Sequence, residues 1–189
     1  MNTKKIIVGA TCASGMPLLI QCLRLIKESG ISAELVLSPH AEQILAEETG
    51  GTSADLVRLV DRVYPPDEIG AGPASGTYPT AGMLVVPCSM KTIAGICGGY
   101  SDNLLLRAAD VTIKEGRTLV LAARESPLSA IHLRNLLELS RIPCVRIIPP
   151  MMTFYHHPET IAEMTYHMAA KLVEPFDIEA KEYRRWKGS

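Results

Sequence analysis

Short, unbroken apolar runs alternate with helical stretches along the whole chain, and nothing else in the sequence limits the fold as tightly. The runs are IIVGA (6–10), AELVL (33–37), MLVVP (83–87), TLVLAA (118–123) and CVRIIP (144–149). They lack the polar–apolar alternation of a half-exposed strand, so each is expected to be buried on both faces, as in a parallel sheet. Between them, residues 16–29 place Leu19, Cys22, Leu23 and Ile26 on one helical face, and Gly30 supplies a stop. Residues 39–48, 53–60, 128–141 and 159–173 also read as helices. A further helix is expected over 101–115, with Ser101-Asp102 as its N-cap and Gly116 after its end. Such alternation predicts a three-layer α/β domain with a mostly parallel sheet and right-handed crossovers. The segment YPPDEIGAGPASGTYPT (64–80) is dense in Pro and Gly, and in a chain this short it reads as a functional loop rather than a linker.

The chain has 189 residues, enough for one domain with a substantial core. Aromatic residues make up only 5%, so aliphatic packing is expected to dominate. A formal net charge of -1 gives no global basic field for nucleic acid or an anionic membrane. No apolar run reaches the roughly 18 residues of a membrane span. The N-terminus MNTKKIIVGA lacks the apolar core of a signal peptide, so the expected location is cytoplasmic. Cys12, Cys22, Cys88, Cys97 and Cys144 form no C-x-x-C, which argues against zinc and for free thiols in a reducing compartment.

In a parallel α/β sheet, ligands bind beyond the carboxyl ends of the strands. That rule lines up GATCASG (9–15), Ser38, the loop after Pro87, Arg124-Glu125 and the stretch after Pro149 along one edge. GATCASG opens a helix, where small residues let backbone amides approach an anion and Ser14 adds a hydroxyl. Thr11 stands where G-x-G-x-x-G requires glycine, and Ser38 rather than an acid ends the second strand; both point to a mononucleotide over a dinucleotide. A plain turn is the competing reading. In VVPCSMKT, Ser89, Met90, Lys91 and Thr92 open a helix whose amides and hydroxyls suit a flat polar ring, or merely cap it. Arg107 and Lys114 lie two helical turns apart, on a face that is either solvated or anion-binding. Arg124-Glu125 suits anion binding beside acid–base work, with a structural ion pair as the alternative. The Tyr155 hydroxyl suits a hydrogen bond to a phosphate, whereas adjacent His156 and His157 diverge and do not make a metal site. The tail KEYRRWK carries the sole tryptophan, Trp186, which suggests docking on a neighbour or an active site. No G-x-S-x-G is present, which disfavours a serine hydrolase.

PCSMKT (87–92), RAADV–KEGR (107–117), RESPLS (124–129), PPMMTFYHHP (149–158) and RRWKG (184–188) together resemble the UbiX-like flavin prenyltransferase family, including the B subunits associated with hydroxybenzoate and phenolic-acid decarboxylases. The resemblance spans nearly the whole chain. It implies a Rossmann- or flavodoxin-like αβα fold over 1–189, with the tail from 175 docking on a neighbouring subunit or active site. It implies transfer of a dimethylallyl group from dimethylallyl phosphate to nitrogen-5 and carbon-6 of reduced FMN. The prenylated FMN would serve a partner UbiD-like decarboxylase, and the subunits would form a homo-oligomer, a dodecamer. By the same resemblance FMN contacts fall on Cys12, Ala13, Ser14, Ser38, Ser89, Met90, Lys91, Thr92 and Arg124. Donor-phosphate contacts fall on Lys114, Arg124, Tyr155 and Lys171, active-site carboxylates on Glu48 and Glu125, with Arg107 nearby and Trp186 closing the site. No metal is implied. The family loop usually reads G-A-S-G, but Cys12 replaces its first glycine; Lys171 stands for its usual arginine, and Pro39-His40 follow Ser38 where it often has lysine. A point-charge lysine in place of a bidentate fork predicts a looser grip on the donor phosphate. The rivals are a flavin-dependent cysteine decarboxylase of related fold and an inactive FMN carrier.

Overall fold

Every apolar run becomes a strand of one six-stranded, fully parallel sheet ordered β3-β2-β1-β4-β5-β6. The computed structural model describes residues 4–186 and 188. The strands are β1 (Lys5–Ala10), β2 (Ser32–Leu37), β3 (Arg62–Tyr64), β4 (Gly82–Cys88), β5 (Thr118–Ala123) and β6 (Val145–Ile147). The helices are α1 (Met16–Glu28), α2 (Ala41–Thr49), α3 (Ser53–Val57), α4 (Met90–Cys97), α5 (Leu104–Lys114), α6 (Ala130–Ser140) and α7 (Ile161–Val173). This is the Rossmann strand order, in which the sheet grows outward in both directions from β1 and β4. No described helix is long and apolar enough to cross a membrane.

The continuous apolar runs have a direct physical cause. Ile6, Val8, Leu35, Leu84 and Val120 face a core built with α1, α2 and α7. Their neighbours Ile7, Val36, Met83, Val85, Leu119 and Leu121 face a second core built with α4, α5 and α6. With successive side chains pointing to opposite faces and helices on both, a strand has no solvent side to mark with polar residues. Gly82 opens β4 at φ +146, where a Cβ would lie 2.1 Å from the Thr118 carbonyl oxygen. Only glycine lets β4 approach β5 there.

One sequence expectation is corrected. The N-cap of α5 is Asn103, whose side chain accepts a bond from the Leu106 amide at 3.0 Å, rather than Ser101-Asp102. The Pro/Gly-rich segment 64–80, expected to be a functional loop rather than a linker, is a strap packed along the second face. Its single 3-10 turn, Gly72–Ala74, packs on α5, and the Arg117 guanidinium donates to the carbonyls of Gly76 (2.6 Å) and Tyr78 (2.8 Å).

The strap is also tied to a buried charge. Glu34, 5% exposed on β2, pairs with Lys5 of β1 at 2.7 Å and accepts from the Tyr64 hydroxyl at 2.9 Å and the Tyr78 hydroxyl at 2.7 Å. Burial alone would lower the Lys5 pKa, but the bonds to Glu34 and Tyr78 outweigh it and the net shift is upward. A buried carboxylate is tolerated because its oxygens are saturated in this way. Glu34→Ala would strand Lys5 and both phenols; urea unfolding is expected to show a loss of about 3 kcal/mol, the low end for a broken buried pair because Lys5 keeps some water.

Candidate active site

The site forms where β1 and β4 lie side by side and their following segments diverge. Thr11, 2% exposed just after β1, donates its hydroxyl to the Pro87 carbonyl (2.9 Å) and accepts from the Ser89 amide (2.8 Å). The Thr11 amide adds a bond to the same carbonyl at 3.1 Å. Glycine at this position would lose the hydroxyl bridge, which explains the departure from a dinucleotide fingerprint. The chain then turns through Gly15, at φ +134 with a would-be Cβ 3.2 Å from Pro87, and enters α1.

An anion does sit at the start of α1, and it is a side chain of this chain. The Glu48 carboxylate, from α2, accepts the Gly15 amide at 2.9 Å and the Met16 amide at 2.7 Å. Burial would raise its pKa, but bonds from Ser14, Gly15 and Met16 and the positive charge of Arg124 hold it below the ordinary carboxylate range. The helix terminus suits a negative charge for the reason anions favour such sites generally. The Cys12 and Ser14 amides have no intramolecular partner among the described residues, whereas the Ala13 amide bonds the Thr11 carbonyl. Ser38 stands beside them, its amide bonded to the Ala10 carbonyl.

On the other side of the switch, Ser89 caps α4, its hydroxyl taking the Thr92 amide at 3.4 Å and lying 3.1 Å from the Thr92 hydroxyl. Met90 and Thr92 are buried, so their side chains belong to core and cap; Lys91 is exposed. The Met90 and Lys91 amides, first in the helix, have no intrahelical acceptor. Arg124 follows β5, its amide bonded to the Cys88 carbonyl at 3.0 Å, and Glu125 beside it is exposed. A cavity of about 450 Å³ lies between the Gly15 turn, Pro87 and Arg124. Ser14, Gly15, Glu48, Pro87, Arg124 and Pro150 line it, with Ile161, Thr165 and Met168 of α7 forming the apolar wall. Its size and its mix of apolar wall and few polar groups are those of a small-molecule site.

Lys171 and Tyr155 line separate, adjoining cavities. The Lys171 cavity shares Pro150 and Met168 with the Arg124 cavity, and shares Thr153, His167 and Tyr183 with the Tyr155 cavity. Tyr155 and Trp186 meet at a ring-centroid distance of 5.3 Å. The tail lies along α7 of its own chain. The His167 Nε2–H donates to the Arg184 carbonyl (3.2 Å), which can only accept, so the Thr153 hydroxyl donates to Nδ1 (3.2 Å). His167 also stacks on His156 at 3.9 Å, and burial with the neighbouring His167 pushes the His156 pKa down. Among the described residues no cluster of His, Cys, Asp and Glu is arranged to hold a metal ion.

Cys12, Ala13, Ser38, Ser89, Met90, Lys91, Thr92 and Glu125 are not among the residues that line these cavities, and Lys114 and Arg107 stay apart from the group in a single chain. Lys114 ends α5 at the amino edge of the sheet and pairs with Glu115. Arg107, nearer the carboxyl edge, pairs with Asp110 at 2.7 Å and lines none of these cavities. Of the RRWKG stretch, Lys187 lies outside the described residues. The sequence reading missed Thr11 as a bridge, Gly15 as an obligatory turn, and Pro150, Thr165 and Met168 as cavity wall. A Gly directly before Met-Pro at a helix start was the available signal for Gly15.

Because the folded-state pKa of Glu48 is depressed, its stabilising contribution is present above the unfolded carboxylate range and is lost as pH falls through the folded value. Glu48→Gln is expected to cost about 1 kcal/mol at pH 7. The gap to wild type should close in acid, below about pH 4, as read by urea unfolding across a pH series.

Comparison with known proteins places these features. Residues 1–175 match the family described as Flavoprotein. The flavin prenyltransferase LpdB of Lactiplantibacillus plantarum is 44% identical, covering 98% of this chain and 99% of that protein. The crystal structure of AnUbiX in complex with FMN and dimethylallyl pyrophosphate superposes with a TM-score of 0.97, at 38% identity and 100% coverage of both chains. The dodecameric FMN-dependent UbiX-like decarboxylase of Escherichia coli O157:H7 superposes with a TM-score of 0.94, at 45% identity over 97% of this chain and 100% of that one. The peptidyl-cysteine decarboxylase EpiD, at 17% identity and a TM-score of 0.63, shares the fold alone. With a carboxyl-edge cavity at the β1–β4 switch and full-length likeness to these proteins, the chain belongs to the flavoprotein family, in its UbiX-like flavin prenyltransferase branch.

Proposed function

We propose that this protein transfers a dimethylallyl group from dimethylallyl phosphate to nitrogen-5 and carbon-6 of reduced FMN, and that the prenylated FMN passes to a UbiD-like decarboxylase. The observation that carries this reading is the cavity shared by Arg124, Ser14 and Glu48 in a chain 44% identical end to end to a flavin prenyltransferase. The residues present fit FMN. Unpartnered amides at Cys12 and Ser14, with the Ser38 hydroxyl, suit its phosphate and ribityl chain, and the outward amides of Met90 and Lys91 suit the edge of its ring. The terminal amides of α1 are already held by Glu48, so the phosphate is read onto the loop before that helix. Reduced FMN supplies an electron-rich ring able to accept an allyl group.

The chain's own groups handle charge and protons. The bond between the allyl carbon and the phosphate oxygen breaks with its electron pair leaving on phosphate. Arg124, Tyr155 and Lys171 stabilise that anion more strongly than they do the intact ester. Glu48, ionised and fixed, orients the Ser14 hydroxyl and faces the developing cationic allyl group. Closing the second bond adds a proton to the inner carbon of the allyl double bond and releases one from carbon-6 of the ring; Glu125, exposed and unrestrained by a helix end, takes the released proton. Lys114 lies at the opposite sheet edge, so any part it plays requires a neighbouring copy. A homo-oligomer is supported by exposed apolar side chains on and beside α6 (Leu128, Ile131, Leu133 and Leu137) and by Met151, Met152 and Phe154, a surface too apolar for an isolated subunit. A dodecamer, as in the E. coli relative, is the assembly proposed, in a cytoplasmic setting consistent with five free cysteines.

Anaerobic incubation of the protein with reduced FMN and dimethylallyl phosphate is expected to raise the flavin mass by one prenyl unit. Glu125→Gln should slow that gain by about 100-fold or more. Release of carbon dioxide from a cysteine-ended peptide, with an unchanged flavin mass, would instead establish the decarboxylase reading; no change in either would leave only a carrier. Leu133→Asp on the apolar face should lower the sedimentation-derived mass of the assembly.

A further inference from the structure

Glu174 has no role in the mechanism above, yet its carboxylate holds two of the cations around the site. It caps the C-terminus of α7 and opens a 3-10 turn, Glu174–Phe176, whose Phe176 is buried in the core at 2% exposure. The Lys4 ammonium donates to the Phe176 carbonyl at 2.8 Å, so the turn is held from both sides. From this rigid base one carboxylate oxygen accepts the Lys171 ammonium at 2.6 Å, and the other accepts the Arg185 guanidinium. The bond from Lys171, then that from Arg185, keeps the Glu174 pKa below the ordinary carboxylate range, so it is ionised at neutral pH. Arg185 immediately precedes Trp186, which packs on Tyr155.

We propose that Glu174 is a positioning residue that couples donor-phosphate binding at Lys171 to the seating of the tail that carries Trp186. The proposal rests on the reading of Lys171 as a donor-phosphate ligand. Unlike a guanidinium, an ammonium has no fixed fork, so its direction depends on what holds it. Glu174 occupies one of its three N–H donors and leaves the others for phosphate. A phosphate dianion arriving at Lys171 draws that cation's field away from Glu174, which then belongs more fully to Arg185. Donor binding therefore tightens the tail, and by linkage a seated tail strengthens donor binding.

The sole tryptophan makes this directly readable. In the FMN-bound, oxidised protein, where turnover does not occur, dimethylallyl phosphate is expected to change Trp186 emission. Glu174→Gln should abolish that response and raise the donor KM by about 5- to 20-fold, with kcat within about two-fold; Glu174→Asp should restore part of both. A wild-type KM and emission response in Glu174→Gln, alongside a raised KM in Lys171→Met, would overturn the coupling and leave the donor site standing. An unchanged KM in Lys171→Met would overturn the donor-site reading and the coupling with it. Should Glu174→Gln not fold, Arg185→Gln tests the same link, and an intact Trp186 response in that variant would sink it.

Discussion

The Thr11 hydroxyl spans the ends of the two central strands, and the geometry of the site depends on it. It donates to a carbonyl at the end of β4 and accepts an amide from the residue capping α4. β1 and β4 are the strands from which the chain moves away in opposite directions, so their following loops diverge and leave a crevice. A crevice floored by loose loops would be a poor binding site. A buried, doubly bonded hydroxyl fixes the spacing of its two walls and satisfies the Ser89 amide, which would otherwise be unpaired.

Three carboxylates near this crevice have distinct electrostatic situations, and their environments explain the division. Glu48 is held by two amides at a helix terminus and by nearby Arg124, which favours a permanent negative charge. Glu125 follows β5 in solvent, its carboxylate accepting only the neighbouring Ser126 amide at 3.0 Å among the described residues. Glu174 is neutralised by two cations and serves geometry rather than proton transfer. Carboxylates of the same chemistry thus acquire separate tasks through what surrounds them.

The wall opposite the crevice is made by α7 and the tail lying along it. His167 is the clasp: it reaches the tail backbone with one ring nitrogen and Thr153 with the other, and stacks on His156. Exposed apolar residues surround this region, including Met151, Phe154 and Trp186. A single subunit leaves much of this surface wet, which is the physical argument for assembly into a larger particle.

The sequence by itself determined the architecture, because burial on two faces leaves unbroken apolar runs and solvent on one face leaves helical periodicity. It also ordered Ser14, Ser38, Ser89 and Arg124 along one edge, since the carboxyl ends of parallel strands share an edge whatever the details. The β3 strand was illegible: its three residues, RVY, carry no periodicity, and it forms by pairing with β2. Glu34 was equally hidden, one acid inside an apolar run whose partners come from Lys5, Tyr64 and Tyr78. Only the tertiary structure decided that Glu48 takes the α1 terminus, that the 64–80 segment is a strap, that Lys114 faces the far edge and that Glu174 joins Lys171 to the tail. Apart from the i,i+3 pair of Lys171 with Glu174, each is a contact between residues further apart in sequence or a consequence of which sheet edge a helix end reaches, and local patterns of hydrophobicity and charge encode neither.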